Sequence, residues 1–128
     1  MSLNPAGSKP IISARFGGIE SGTCTLFIRK PPAKQWLKIK TITNNPIAPS
    51  PIEIDPSIYL GSGSSISDLI GAEIRYNVLF LDVDGDEQIN CSFDLEITQD
   101  GTVIERKSDN KIDRDVEFIF FSQTFTLA

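Results

Sequence analysis

Apolar and polar residues alternate without a break from Ile89 to Thr98: Ile89, Cys91, Phe93, Leu95 and Ile97 fall on one side, and Asn90, Ser92, Asp94, Glu96 and Thr98 on the other. Period two is the repeat of a β-strand, whose successive side chains point to opposite faces; a helix repeats every 3.6 residues. A chain carrying this pattern builds sheets with one dry face and one wet face. The preceding segment reads the same way, with Ala72, Ile74, Tyr76, Val78 and Phe80 on one side, opposed mainly by Glu73, Arg75 and Asn77, while Leu79 and Leu81 break the pattern. Between the two, the Asp84-Gly85 step supplies the positive φ of a tight turn, so the spacing predicts a long antiparallel hairpin from Ala72 to Gln99.

The same logic extends along the chain. Gln99-Asp100-Gly101-Thr102 turns the second strand into a shorter one from Thr102 to Lys107, and a polar stretch, Ser108 to Asp115, follows. From Val116 to Leu127, Ile119, Phe121, Phe125 and Leu127 share a face interrupted by Gln123, which predicts a C-terminal core strand. Upstream, Ile11 to Phe16, Thr23 to Arg29 and Gln35 to Ile42 read as strands, separated by the Gly17-Gly18 and Pro31-Pro32 breakers. Prolines 46, 49, 51 and 56 make Thr43 to Pro56 an extended connection or edge strand. Ser65 to Ile70, with Ser65 as cap, Asp68 behind it and Gly71 after, predicts one short helical turn, the only one expected.

About eight short strands with Gly, Pro and Asp-Gly turns indicate an all-β fold, an antiparallel β-sandwich of immunoglobulin-like or jelly-roll-like kind, with a closed barrel as the alternative. At 128 residues the chain is one domain, expected over 10–128, with 1–9 a loose arm or a leader added for expression. That start lacks the basic opening and apolar core of a secretory signal, and no apolar run approaches the roughly 20 residues of a membrane helix. The compartment stays open.

The chain contains no histidine. A Ser-His-Asp triad, a Cys-His pair and a His-based zinc site are thereby excluded within it, which leaves carboxylate, Lys or Tyr chemistry and shifts the expectation from enzyme to binding or structural protein. The net charge of −5 conceals a division: Ser21 to Ile52 holds Arg29, Lys30, Lys34, Lys38 and Lys40 and no acid, whereas Glu53 to Glu105 holds twelve acids against Arg75. Such a division orients charged partners, or places opposite charges at opposed sheet edges. The overall acidity works against a nucleic-acid ligand.

Within the basic segment, Leu37 and Ile39 on the core side would put Trp36 on the outer face beside Lys34, Lys38 and Lys40. A Trp flanked by cations stacks on a sugar ring or a base while a Lys holds a carboxylate or phosphate; a bulge or loop turning Trp36 inward, or another chain covering it, would remove that site.

The acidic turn Asp82-Val83-Asp84-Gly85-Asp86-Glu87 resembles the first half of the calcium loops of EF-hand and dockerin proteins, in which alternate acids supply oxygen ligands. The likeness covers about nine residues; Glu87 stands where EF-hands have Gly, and Phe93 where the closing Glu belongs. It implies at most a weak Ca2+ site from Asp82, Asp84, Asp86 and Glu87, against the plain alternative of a solvated turn.

Cys24 alternates inward with Leu26 and Ile28, and Cys91 with Ile89 and Phe93, so both belong to the core as a disulfide or as two thiols. A bond would close a long loop, adding about 4 kcal/mol on the chain-entropy model. The order Cys24, Trp36, Cys91 is similar to that of immunoglobulin domains, although Ile89 stands where their Tyr is expected.

These features point first to a binding or accessory module that contacts a carbohydrate or a protein. The alternatives are an assembly protein whose edge strands and Phe-rich C-terminal strand pair with neighbouring chains, and a glycosidase-like enzyme built on two opposed carboxylates.

Overall fold

The computed structural model describes residues 2–17, 21–43, 51–81, 88–114 and 118–128. Its elements are β1 (Ile11–Gly17), β2 (Ser21–Arg29), β3 (Leu37–Thr43), β4 (Ile52–Glu53), α1 (Pro56–Tyr59), a 3-10 turn (Ile66–Leu69), β5 (Glu73–Leu81), β6 (Gln88–Gln99), β7 (Thr102–Arg114) and β8 (Phe118–Thr126). The strands form two four-stranded antiparallel sheets, the first in the order β4-β1-β6-β7 and the second β3-β2-β5-β8. The fold is an all-β sandwich.

The alternation assigned the inner faces correctly: Ala72, Ile74, Tyr76, Val78 and Phe80 are buried, as are Cys91, Phe93, Leu95 and Ile97. The expected Ala72–Gln99 hairpin does not form. β5 pairs with β2 and β8, and β6 with β1 and β7, so the two strands face each other across the core. Two strands arched between sheets bury the same alternate residues as two strands paired within one, so period two does not separate the arrangements.

An aromatic chain joins the sheets: the Phe16 ring meets Phe93 at 5.2 Å and Phe80 at 5.9 Å, and Phe93 also meets Tyr76 at 5.2 Å. The two Phe16 pairs are edge-to-face, an arrangement that adds stability beyond the area buried.

Asp100 (φ 51°) and Gly101 (φ 79°) both take left-handed backbone, the conformation of the type I′ turn, and join β6 to β7 as expected. β7 is longer than its predicted Thr102–Lys107. It runs through the polar stretch to Arg114 with charges at alternate positions: Glu105, Lys107, Asp109 and Lys111 lie opposite the core residues Ile97, Leu95, Phe93 and Cys91. Charged residues directed inward along an edge strand carry no apolar signal.

A second short helix, α1, adds to the expected turn. The Asp55 carboxylate accepts from the backbone N–H of Ser57 at 3.0 Å, and Pro56 opens the helix where its missing N–H costs nothing. At the 3-10 turn, the Asp68 carboxylate accepts from the Ser65 N–H at 2.8 Å. The N-terminal segment makes contacts with the sandwich. Leu3 is buried, its N–H donates to the Ala128 carbonyl at 2.8 Å, and the buried Gln99 side chain bonds the backbone of Asn4 and Ser8. Among the described residues no helix is long and apolar enough to cross a membrane.

Candidate functional site

The register of the second sheet determines what its outer face presents. Leu37 lies opposite the buried Ile28 and Lys38 opposite Phe27, so Trp36, one residue earlier, falls on the outer side beside Arg29. The Arg29 guanidinium sits over the Trp36 ring, 4.4 Å from its centroid, and that of Arg75, on the adjoining strand, is 5.9 Å away. Both distances are within the range of cation–π attraction. Trp36 is half-buried, and Lys38 is exposed on the same face.

Arg29 is fixed from two further sides: its Nε donates to Glu73 at 3.1 Å, and Nη1 to the Lys34 carbonyl at 3.3 Å. Arg75 and Lys38 make no ion pair among the described residues, and the enclosed Arg75 Nε has no hydrogen-bond acceptor. Buried donors are nearly always satisfied, so the Arg75 Nε stands out among the described residues as a donor without an acceptor.

Of the four residues proposed from sequence, Trp36 and Lys38 share this face. Lys40 does not. The pairing of β2 with β3 shifts between Leu26 and Phe27, leaving Ile39 as an extra residue and placing Lys40 opposite Leu26, on the core side of an edge strand where its side chain is exposed. A β-bulge of this kind reverses the alternation beyond it. Lys34 contributes its carbonyl to Arg29, and its side chain is exposed. Sequence reasoning missed Arg29 and Arg75 because they belong to strands paired with β3 only in three dimensions.

Asp82, Asp84, Asp86 and Glu87 lie outside the described residues. Among the described residues no group of three or more Cys, Asp or Glu side chains is gathered as for a metal. Cys24 and Cys91 are held as buried thiols, one in each sheet, and burial pushes the Cys24 thiol up to about 12.

The first sheet presents a different outer face: a shallow hollow of about 480 Å³ whose floor includes Ser13, Arg15, Asp94, Glu96, Arg106 and Ser108. Ser108 donates to Asp94 at 2.6 Å, and Arg106 to Glu96 at 2.5 Å through Nη2 and 3.2 Å through Nε. The two carboxylates project the same way from one strand.

No protein-family model, curated protein or solved structure matches this chain.

Proposed function

We propose that this protein is a non-catalytic binding module that takes an acidic carbohydrate on the outer face of the second sheet, at Trp36. One observation carries the reading: a half-buried Trp ring held over the sheet beside Arg29, with Arg75 and Lys38 on the same face and unpaired with any described carboxylate. The ring offers an apolar platform to the C–H face of a sugar, and the cations offer donors to a carboxylate on it. Arg75 is the residue best suited to bidentate recognition, since Arg29 is already committed to Glu73.

Calorimetric titration with an oligogalacturonate, with a neutral oligosaccharide of equal length as control, tests the proposal. Binding of the acidic sugar alone, with quenching of Trp36 fluorescence and a loss of about tenfold or more in Arg75→Gln, is the expected outcome. Absence of heat and of quenching with the acidic sugar removes the carbohydrate reading. Binding of a glutamate-rich peptide in its place redirects the site to a protein partner.

A further inference from the structure

Among the described residues the sandwich has four edge strands, and three of them are protected against pairing with another chain. β4 has only two residues and follows Pro51; β3 is bulged at Ile39 and carries Lys38 and Lys40; β7 carries alternating charges directed inward. Short length, bulges, lysines and inward charges are the devices by which natural sheets prevent edge-to-edge association. β8 has none of them. Its nine residues, Phe118–Thr126, include no charge, no Pro and no Gly, and it closes the order of the second sheet.

The hydrogen-bonding phase of this edge follows from its end. Leu127 donates its N–H to Ala72 at 2.8 Å and accepts from Gly71 at 2.7 Å, so it turns its backbone toward the β5 side. Backbone direction alternates along an antiparallel strand, so Phe118, Phe120, Ser122, Thr124 and Thr126 turn their N–H and C=O groups to the open side. Ala128, next in that series, already receives a strand-like bond there: its carbonyl accepts from Leu3 of the N-terminal segment. The Phe118 end of the outer face beside this edge is apolar, with Leu81 46%, Phe118 55% and Phe120 54% exposed.

We propose that β8 is an association edge, and that a second copy of this chain adds its own β8 antiparallel about a two-fold axis at Ser122, making one continuous eight-stranded sheet. This register pairs all five outward-turned residues. It sets Phe118 beside Thr126 of the second copy and Phe120 beside Thr124, the aromatic with β-branched combination that stabilises sheets. Charge selects the same occupant. In a chain of net charge −5, β8 meets its counterpart with no charge on either side, whereas a self-pair of β3 would bring lysines together. Length agrees as well: Leu3 occupies the edge at Ala128, so an added strand must end at Thr126, where the Phe118 end of the second copy falls. Both outer faces lie on one side of the joined sheet, so the dimer presents two Trp36 sites to one surface, although pairing itself does not depend on their ligand.

Sedimentation equilibrium, with circular dichroism to monitor folding, tests the edge. The wild-type chain is expected at twice its 14.1 kDa mass with a concentration-dependent fall to the monomer. Ser122→Lys places two cations on the two-fold axis and gives folded monomer, as does Ser122→Glu, and a mixture of the two restores a 1:1 dimer. Should loss of the Ser122 bond to Asn77 unfold the chain, Thr124→Lys and Thr124→Glu, which disturb no described side-chain bond, take their place: each sets a charge against Phe120 of the second copy, both are expected to give folded monomer, and a mixture of the two does not restore the dimer. A wild type that stays monomeric at millimolar concentration overturns the proposal, and so does a dimer that survives these charges.

Discussion

Tyr76 of the second sheet donates its hydroxyl to Asp109 of the first at 2.5 Å, and Gln123 donates to the other carboxylate oxygen at 2.8 Å. Together they fasten β7 to β5 and β8 along a margin where one side carries charges and the other Phe121 and Phe125. The bond explains why Gln123 interrupts an apolar face: it is the second donor to a carboxylate that the neighbouring strand directs inward.

Tyr76→Phe leaves the core volume nearly unchanged and deprives Asp109 of its shorter bond. A loss of about 1–3 kcal/mol is expected by urea unfolding, because one oxygen of a half-buried carboxylate then lacks its donor, while the other keeps Gln123. Combining Tyr76→Phe with Asp109→Asn should cost less than the sum of the two single changes, since both remove the same bond. Strict additivity would mean that the bond contributes little.

Stability should fall on the alkaline side. Burial, the bond to Asp109 and its charge all push the Tyr76 phenol upward, and burial pushes the Cys24 thiol up to about 12. In the unfolded chain these groups release protons near their ordinary values, about 8.5 for a thiol and 10 for a phenol. The folded chain thus binds more protons above pH 8.5, and stability declines as pH rises, by about 1.4 kcal/mol per pH unit for each group in its window. Melting temperatures from pH 7 to 11 should show this decline; Cys24→Ala should flatten its early part and Tyr76→Phe its later part. A flat profile to pH 11 would contradict the burial of both protons.

Gly22 is fixed by its neighbours. A Cβ there would stand 2.6 Å from Phe16 Cδ1 and 2.9 Å from Phe80 Cε1, inside the aromatic chain that joins the sheets. Gly22→Ala is expected to destabilise by about 1–3 kcal/mol, the usual range for overpacking, despite the lower chain entropy of Ala. Stability equal to wild type in chemical unfolding would show that the two rings yield freely.

The inner faces of β5, β6 and β2, the Asp100-Gly101 turn and the Ser65–Asp68 cap were legible because each rests on neighbours close in sequence. The pairing of β5 with β2 and of β6 with β1 was not, since alternation reports a buried face and not the strand beside it. The candidate site divides along the same line: Trp36 and Lys38 could be placed together from the β3 pattern. Lys40 was misplaced by a bulge that only the pairing with Leu26 and Phe27 reveals, and Arg29 and Arg75 required the register. α1 was legible after all, in Asp55-Pro56-Ser57, but the surrounding prolines argued for an extended chain.

The crossing of the chain between sheets bears on how quickly the protein reaches its native state. Among the described residues only β2 with β3 and β6 with β7 pair as sequence neighbours, whereas β1 waits for β4 and β6, β2 for β5, and β5 for β8. Two hairpins can assemble early, but neither closes the core, and the closures that do must overcome the entropy of long loops. Refolding on the millisecond-to-second scale of other non-local β topologies follows. During that interval the uncharged β8 has neither β5 nor its own counterpart beside it.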